Sequence, residues 1–258
     1  MRFGPWSLQE IFLLDASTYL VSVSIIALIR YTPGEYIRQA HASIFERMKQ
    51  GFRYLRMRRP LLIFGVASHT VFVCLLVLIH VGVAVYISDY LKLSFEEGGR
   101  AMALFEAFYA LGALSAGLVN LFVGRVLLKI NLVYQIIFLL CLMAGVLLCF
   151  SLTASVIVFV GGAYLVGLAN AGSRILRTTY LLRTVPNTVI GRVNSIFSMI
   201  QAFNQSLIIG LLSISFFTGP GNGGNIIYGF GVMAGLCLIS AVLLILFFPK
   251  FDKDAAYG

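Results

Sequence analysis

The stretch from Leu132 to Phe150 contains no charged side chain, and it is about as long as the ~20 residues a helix needs to cross the hydrocarbon core of a bilayer. Such a run cannot lie on the surface of a water-soluble domain. Apolar runs of comparable length recur at Ile11–Ile29, Leu61–Ile87, Ala101–Val123, Val156–Gly172, Asn194–Phe217 and Ile227–Phe248. Hydrophobic residues make up 60% of the chain and charged ones 11%, against roughly 45–50% and about 25% in soluble domains. A globule built from 258 residues cannot hide that excess. The expected fold class is all-α, a polytopic helical membrane protein of about seven transmembrane helices. The first run has no basic region ahead of a cleavage site, so it is expected to be retained as a helix.

Charge between the runs orients them, because Lys and Arg concentrate in short cytoplasmic loops. One side collects the basic residues from Arg30 to Arg59, then Arg125 and Lys129, then Arg174, Arg177, Arg183 and Arg192, then Lys250 and Lys253. The other side holds Arg2, Lys92 and Arg100. The amino terminus is therefore expected outside and the carboxyl terminus inside. This asymmetry accounts for the net charge of +9, and nucleic-acid binding is not needed to explain it. Cys74, Cys141, Cys149 and Cys237 all fall inside apolar runs, where a thiol packs as a small hydrophobe. No disulfide framework, metal site or cofactor is expected.

The polar interruption from Arg177 to Asn194 carries Arg177, Arg183 and Arg192 and no acid. Pro186 lacks a backbone donor and Gly191 tolerates left-handed geometry, so a hinge-like loop is expected there. In the linker from Tyr36 to Pro60, Ile37, Ile44, Met48, Phe52 and Leu55 recur at helical spacing beside Arg38, Arg47, Lys49, Arg53 and Arg56. Two readings stay open: a helix lying in the headgroup layer, or a solvated basic connection.

Few residues can carry chemistry inside a bilayer, where an ionised acid costs roughly 2.5–3.5 kcal/mol and is usually functional or paired. Asp15 and Glu106 are the candidates for proton coupling. Glu106 shares a face with Tyr109, Ala110, Ala113 and Gly117, a small-residue surface suited to protein contact. The bland alternative is a hydrogen-bonded acid near the headgroups. Asn194, Ser198, Gln201 and Gln205 follow at spacings that place them on one helical face, flanked by Asn204. They line a wet cavity or glue helices together. His69 and His80 are three turns apart on one face, either satisfied in the core or touching substrate and protons. Asn170 and Ser173 suit capping or headgroup contact. Ala163, Gly167 and Ala171, and likewise Gly231 and Gly235, recur at spacings of four and allow close helix approach.

The run VPNTVIGRVNSIF from Val185 to Phe197, preceded by Arg177, resembles the junction of the tenth and eleventh helices in exporters of the major facilitator superfamily. GFRYLRMRRPLL from Gly51 to Leu62 is similar to the start of helix seven in the branch of macrolide and siderophore (enterobactin-type) efflux proteins. Gly117, Gly124 and Arg125 sit where that superfamily has its glycine-and-arginine loop signature. Leu121 stands where the signature has an acid, and Leu182 where the branch often has Gln. The resemblance implies helices six to twelve of such an exporter. Residues 1–30 would be the last helix of the first half-bundle, 31–60 a cytoplasmic basic linker, 61–250 the second six-helix half-bundle and 251–258 a tail. It implies proton-coupled efflux of small amphipathic molecules across a bacterial-type inner membrane, with missing helices or a second copy as partner. Gly117, Gly124, Arg125, Arg177, Pro186, Gly191 and Arg192 would form the cytoplasmic gate.

Two other classes fit the count of spans. A retinal protein needs a lysine inside a helix, and none lies in any run. A seven-helix receptor remains as the alternative. A lipid-acting membrane enzyme needs clustered ligands or a nucleophile with its base, which His41, His69 and His80 do not supply.

Overall fold

The structure is a computed structural model and describes residues 8–28, 44–127, 131–218 and 225–255. Two compact units divide the chain, Met1–Ala42 and Ser43–Gly258. In the first, α1 spans Leu8–Leu28. Its Ser22 and Ser24 hydroxyls donate to the carbonyls of Thr18 and Leu20 at 2.9 and 2.8 Å, so both are satisfied within their own helix.

The second unit begins with α2, Ile44–Met57, and continues through six helices long and apolar enough to cross a membrane among the described residues. These are α3 (Arg59–Tyr90), α4 (Phe95–Leu127), α5 (Leu132–Leu152), α6 (Val156–Thr184), α7 (Ile190–Leu212) and α8 (Ile226–Ala255). The expected first run is helical in α1, but the apolar stretch described there, Ala16–Leu28, is shorter than the other six.

Helix ends follow local chemistry. Ser94 and Glu97 form a reciprocal cap at the start of α4: the Ser94 backbone N–H donates to Glu97 Oε2 at 3.1 Å and the Glu97 N–H to Ser94 Oγ at 3.4 Å. Lys92, in the turn before it, takes a left-handed φ of 52°. The Asn131 side chain accepts from the Val133 N–H at 3.0 Å, and Ser155 Oγ from that of Val158 at 3.5 Å. Val185 is extended (φ −107°, ψ 125°), as a residue before proline must be, and that ends α6.

Several sequence expectations fail at these ends. α6 runs on to Thr184, so Arg174 and Arg177 lie in the helix and not in a loop. Gly191 sits in the first turn of α7 without positive φ, and Pro186 begins the short turn between the two helices. Arginines do not stop a helix; the extended backbone that Pro186 imposes on Val185 does. α7 ends at Leu212, followed by a bend and a short helix, Ser215–Thr218. Gly124 and Arg125 belong to the end of α4, and their side chains lie outside the described set.

Packing inside a bilayer rests on close fit, since lipid is as apolar as leucine. α4 lies along α6, α5 fits between α6 and α8, and α3 touches α6, α7 and α8. The tightest approach is between α4 and α6. A Cβ on Gly112 would overlap the Tyr164 carbonyl, and one on Gly167 the Tyr109 carbonyl. The spacing that picked out Gly167 also picked out Gly231 and Gly235, but a Cβ on either of those meets nothing within 4 Å. At one end of the bundle, Tyr86 sits among Phe150, Phe159 and Phe230 at centroid distances of 6.1, 5.4 and 5.3 Å. Its hydroxyl donates to the Thr153 carbonyl at 2.8 Å, tying α3 to the end of α5.

Candidate functional site

α4 and α7 stand apart from the other spans. Only 17% of each is buried, against 39% to 50% in the other four. On α7 one arc is apolar and exposed, with Met199, Phe203 and Leu207. The opposite arc carries Asn194, Ser198, Gln201 and Gln205, with Asn204 to one side; Asn194 and Ser198 are exposed and the three amides beyond them half-buried. Ser195 and Ser206 bond back to the carbonyls of Gly191 and Ala202, both at 2.9 Å. Among the described residues, the amides of Asn194, Gln201, Asn204 and Gln205 find no such protein partner. An amide facing hydrocarbon without a partner costs several kcal/mol, about the same as any orphaned polar group. Among the described residues no hydrogen bond joins these amides to another helix, so they do not glue this bundle together.

Behind this arc, α7 is anchored on α3. Phe197 is buried so closely that a Cβ on Gly65 would overlap its ring. His69 lies 5.7 Å from the Phe197 ring, buried, and its Nδ1–H donates to the Gly65 carbonyl at 2.6 Å. His80 is exposed, in a π-type turn at Leu78–Gly82, with its Nδ1–H on the Leu76 carbonyl at 2.6 Å. Eleven residues separate the two rings, about 16 Å of helical rise. The expected pair on one face is therefore not a pair, because one ring is in the core and the other is uncovered.

Arg177 is buried, and its Nη1 donates to the Ser68 carbonyl at 3.4 Å, joining α6 to α3. About two turns away, Asn170 Nδ2 donates to the Tyr109 hydroxyl at 2.9 Å, joining α6 to α4. Its Oδ1 is buried and has no protein partner. Asn170 thus serves neither as a cap nor as a headgroup contact; the extension of α6 to Thr184 puts it deep in the helix. Glu106, expected in protein contact, is exposed on α4, whereas Tyr109 and Ala113 on the same face meet α6. The close crossing lies below Glu106 and does not cover it. Gly117 is exposed with open space around it, and the side chain of Asp15 lies outside the described set.

Three polar features were not candidates in the sequence. Thr70 and Ser240 share a hydrogen bond of 2.8 Å between α3 and α8. Asn120 and Gln135 sit in an apolar groove of about 330 Å³ between α4, α5 and α6, with Ala116, Leu139 and Leu176 among its walls. An amide in an apolar run was the available signal for both. The groove lies on the flank of α6 away from Arg177, so it is separate from the stripe on α7.

The profile of the Major Facilitator Superfamily matches residues 3–208. The chain belongs to that superfamily. No curated protein and no solved structure matched it. Members of the superfamily are secondary transporters and not enzymes, built from repeated bundles with the substrate site near the midplane. The chain is accordingly a membrane-embedded transport protein whose partners are a bilayer and a small-molecule substrate. Among the described residues no group of His, Cys, Asp and Glu is placed to hold a metal ion.

Proposed function

We propose that α3 to α8 form the second half-bundle of a proton-coupled exporter of small amphipathic molecules, in the branch that exports macrolides and siderophores. The observation that carries this reading is the exposed to half-buried amide arc of α7, which has no hydrogen-bond partner among the described residues, on one of the two little-covered helices. A facing half-bundle, either the helices that precede these or a second copy, would close the path over that arc. Gln201, Asn204 and Gln205 with Tyr109 then touch substrate, and Asn194 and Ser198 lead to it. Glu106 is the proton-coupling acid on this side and Asp15 its counterpart before the linker. Rocking of the half-bundles about the site gives alternating access, and protonation shifts their balance.

The basic end, with Arg177, Pro186, Gly191 and Arg192, faces the cytoplasm in this reading and works as the gate, with Gly117, Gly124 and Arg125 at the end of α4. The membrane is a bacterial-type inner membrane, with the amino terminus outside. The test is efflux from the assembled transporter across a pH series. Glu106→Gln should leave expression intact and abolish the pH dependence of efflux. Wild-type transport by Glu106→Gln at every pH would remove Glu106 from the mechanism.

A further inference from the structure

The contacts of α2 fix which way this basic helix is rolled. Gly51 faces α7, where a Cβ would lie 2.8 Å from Ile196 Cδ1 and 3.1 Å from Arg192 Cβ. Leu55 is fully buried, and Gln50 Oε1 accepts from Arg192 Nη1 at 2.6 Å. At the end of the helix, Arg58 stands 5.2 Å over the Tyr54 ring and donates to the Thr184 carbonyl at 3.5 Å. α2 is thus docked across the ends of α6 and α7. The stripe expected from sequence is therefore split: Leu55 serves the bundle, and Ile37 lies outside the described residues.

What remains free is a different stripe. Phe45, Lys49, Phe52 and Arg56 follow at spacings of four, three and four, so they share one face about a quarter turn round from Leu55. Phe45 is 76% and Phe52 54% exposed. Arg53 flanks the stripe, and Glu46 is the one acid in the helix. Two rings alternating with cations match a surface that is apolar below and negative above. The chain itself puts such a surface within reach. α3 begins at Arg59, two residues after α2 ends, and its apolar run enters the membrane from there.

We propose that α2 binds anionic phospholipid, with Phe45 and Phe52 seated at the acyl boundary and Lys49, Arg53 and Arg56 on lipid phosphates. The helix then clamps the ends of α6 and α7 to one leaflet. An acidic protein groove is the competing occupant, and the experiment distinguishes them.

The test uses the full chain with its four cysteines replaced and an environment-sensitive fluorophore on Phe52→Cys, or in a second sample on Phe45→Cys. The protein is placed in detergent, in phosphatidylcholine nanodiscs, and in nanodiscs that also contain phosphatidylglycerol. The proposal expects weak quenching by nitroxide-labelled lipid in phosphatidylcholine alone, and a blue shift with quenching that grows with phosphatidylglycerol. Neutralising Lys49, Arg53 or Arg56 to Gln should weaken that lipid dependence about fivefold per side chain, with the melting temperature of the bundle unchanged. A fluorophore shielded in every setting but quenched by nitroxide-labelled lipid in none would mean that protein covers the stripe, and would overturn the proposal. So would a water-exposed signal in every setting, or equal quenching with and without phosphatidylglycerol.

Discussion

Replacing Gly112 by Ala adds one methyl group where α4 and α6 touch backbone to backbone. The new Cβ would overlap the Tyr164 carbonyl and lie 3.0 Å from the Leu168 nitrogen, and neither atom can rotate away. The helices must separate, and contacts along the whole α4–α6 seam loosen with them. We place the cost near the upper end for overpacked sites, about 3 kcal/mol. Alanine over glycine in a helix returns about 1 kcal/mol. The net loss of about 2 kcal/mol corresponds to a fall of about 4–8 °C in melting temperature for a chain of this size. Gly167→Ala, against the Tyr109 carbonyl, should behave alike. The double variant should lose less than the sum, because the first methyl group already opens the same crossing. Thermal unfolding in detergent, followed by dye reaction at the buried Cys74 and Cys237 thiols, reads the effect. Gly231→Ala and Gly235→Ala are the controls, since their Cβ atoms meet open space; they should melt at or above the parent temperature. If Gly112→Ala melts with those controls, the close seam between α4 and α6 is wrong.

Tyr109→Phe strips Asn170 Nδ2 of its partner beside an Oδ1 that already has none, and should cost about 1–3 kcal/mol; adding Asn170→Leu should return part of the lost melting temperature. Arg192→Ala removes the bond to Gln50, and amide exchange in α2 should speed up while that in α5 stays as it was.

The spans were legible wherever nothing polar interrupts them. α5 and α8 needed only length and hydropathy, while Asn131 starts α5 and Ser155 and Pro186 bound α6 by local chemistry. α6 was cut short in sequence because Arg174 and Arg177 look like loop residues, yet Arg177 turns inward to a carbonyl of α3. That bond is tertiary, and no spacing rule contains it. Gly167 and Gly231 look alike along the chain and differ only in what faces them. The amide arc of α7 was readable from its periodicity. Whether other protein covered it was not, and the sparse burial of α7 supplies that step. The basic helix α2 was readable as amphipathic, but its roll depended on the contacts of Gly51, Gln50 and Leu55 with α7.

The account depends on the amide arc of α7 facing water. Single cysteines at each position from Asn194 to Gln205, in a background without the native four, can be treated in membranes with a water-soluble thiol reagent. Reaction at positions 194, 198, 201 and 205, with protection at Met199 and Phe203, is the expected pattern. Reaction at 199 and 203 with protection of the amide positions would contradict it.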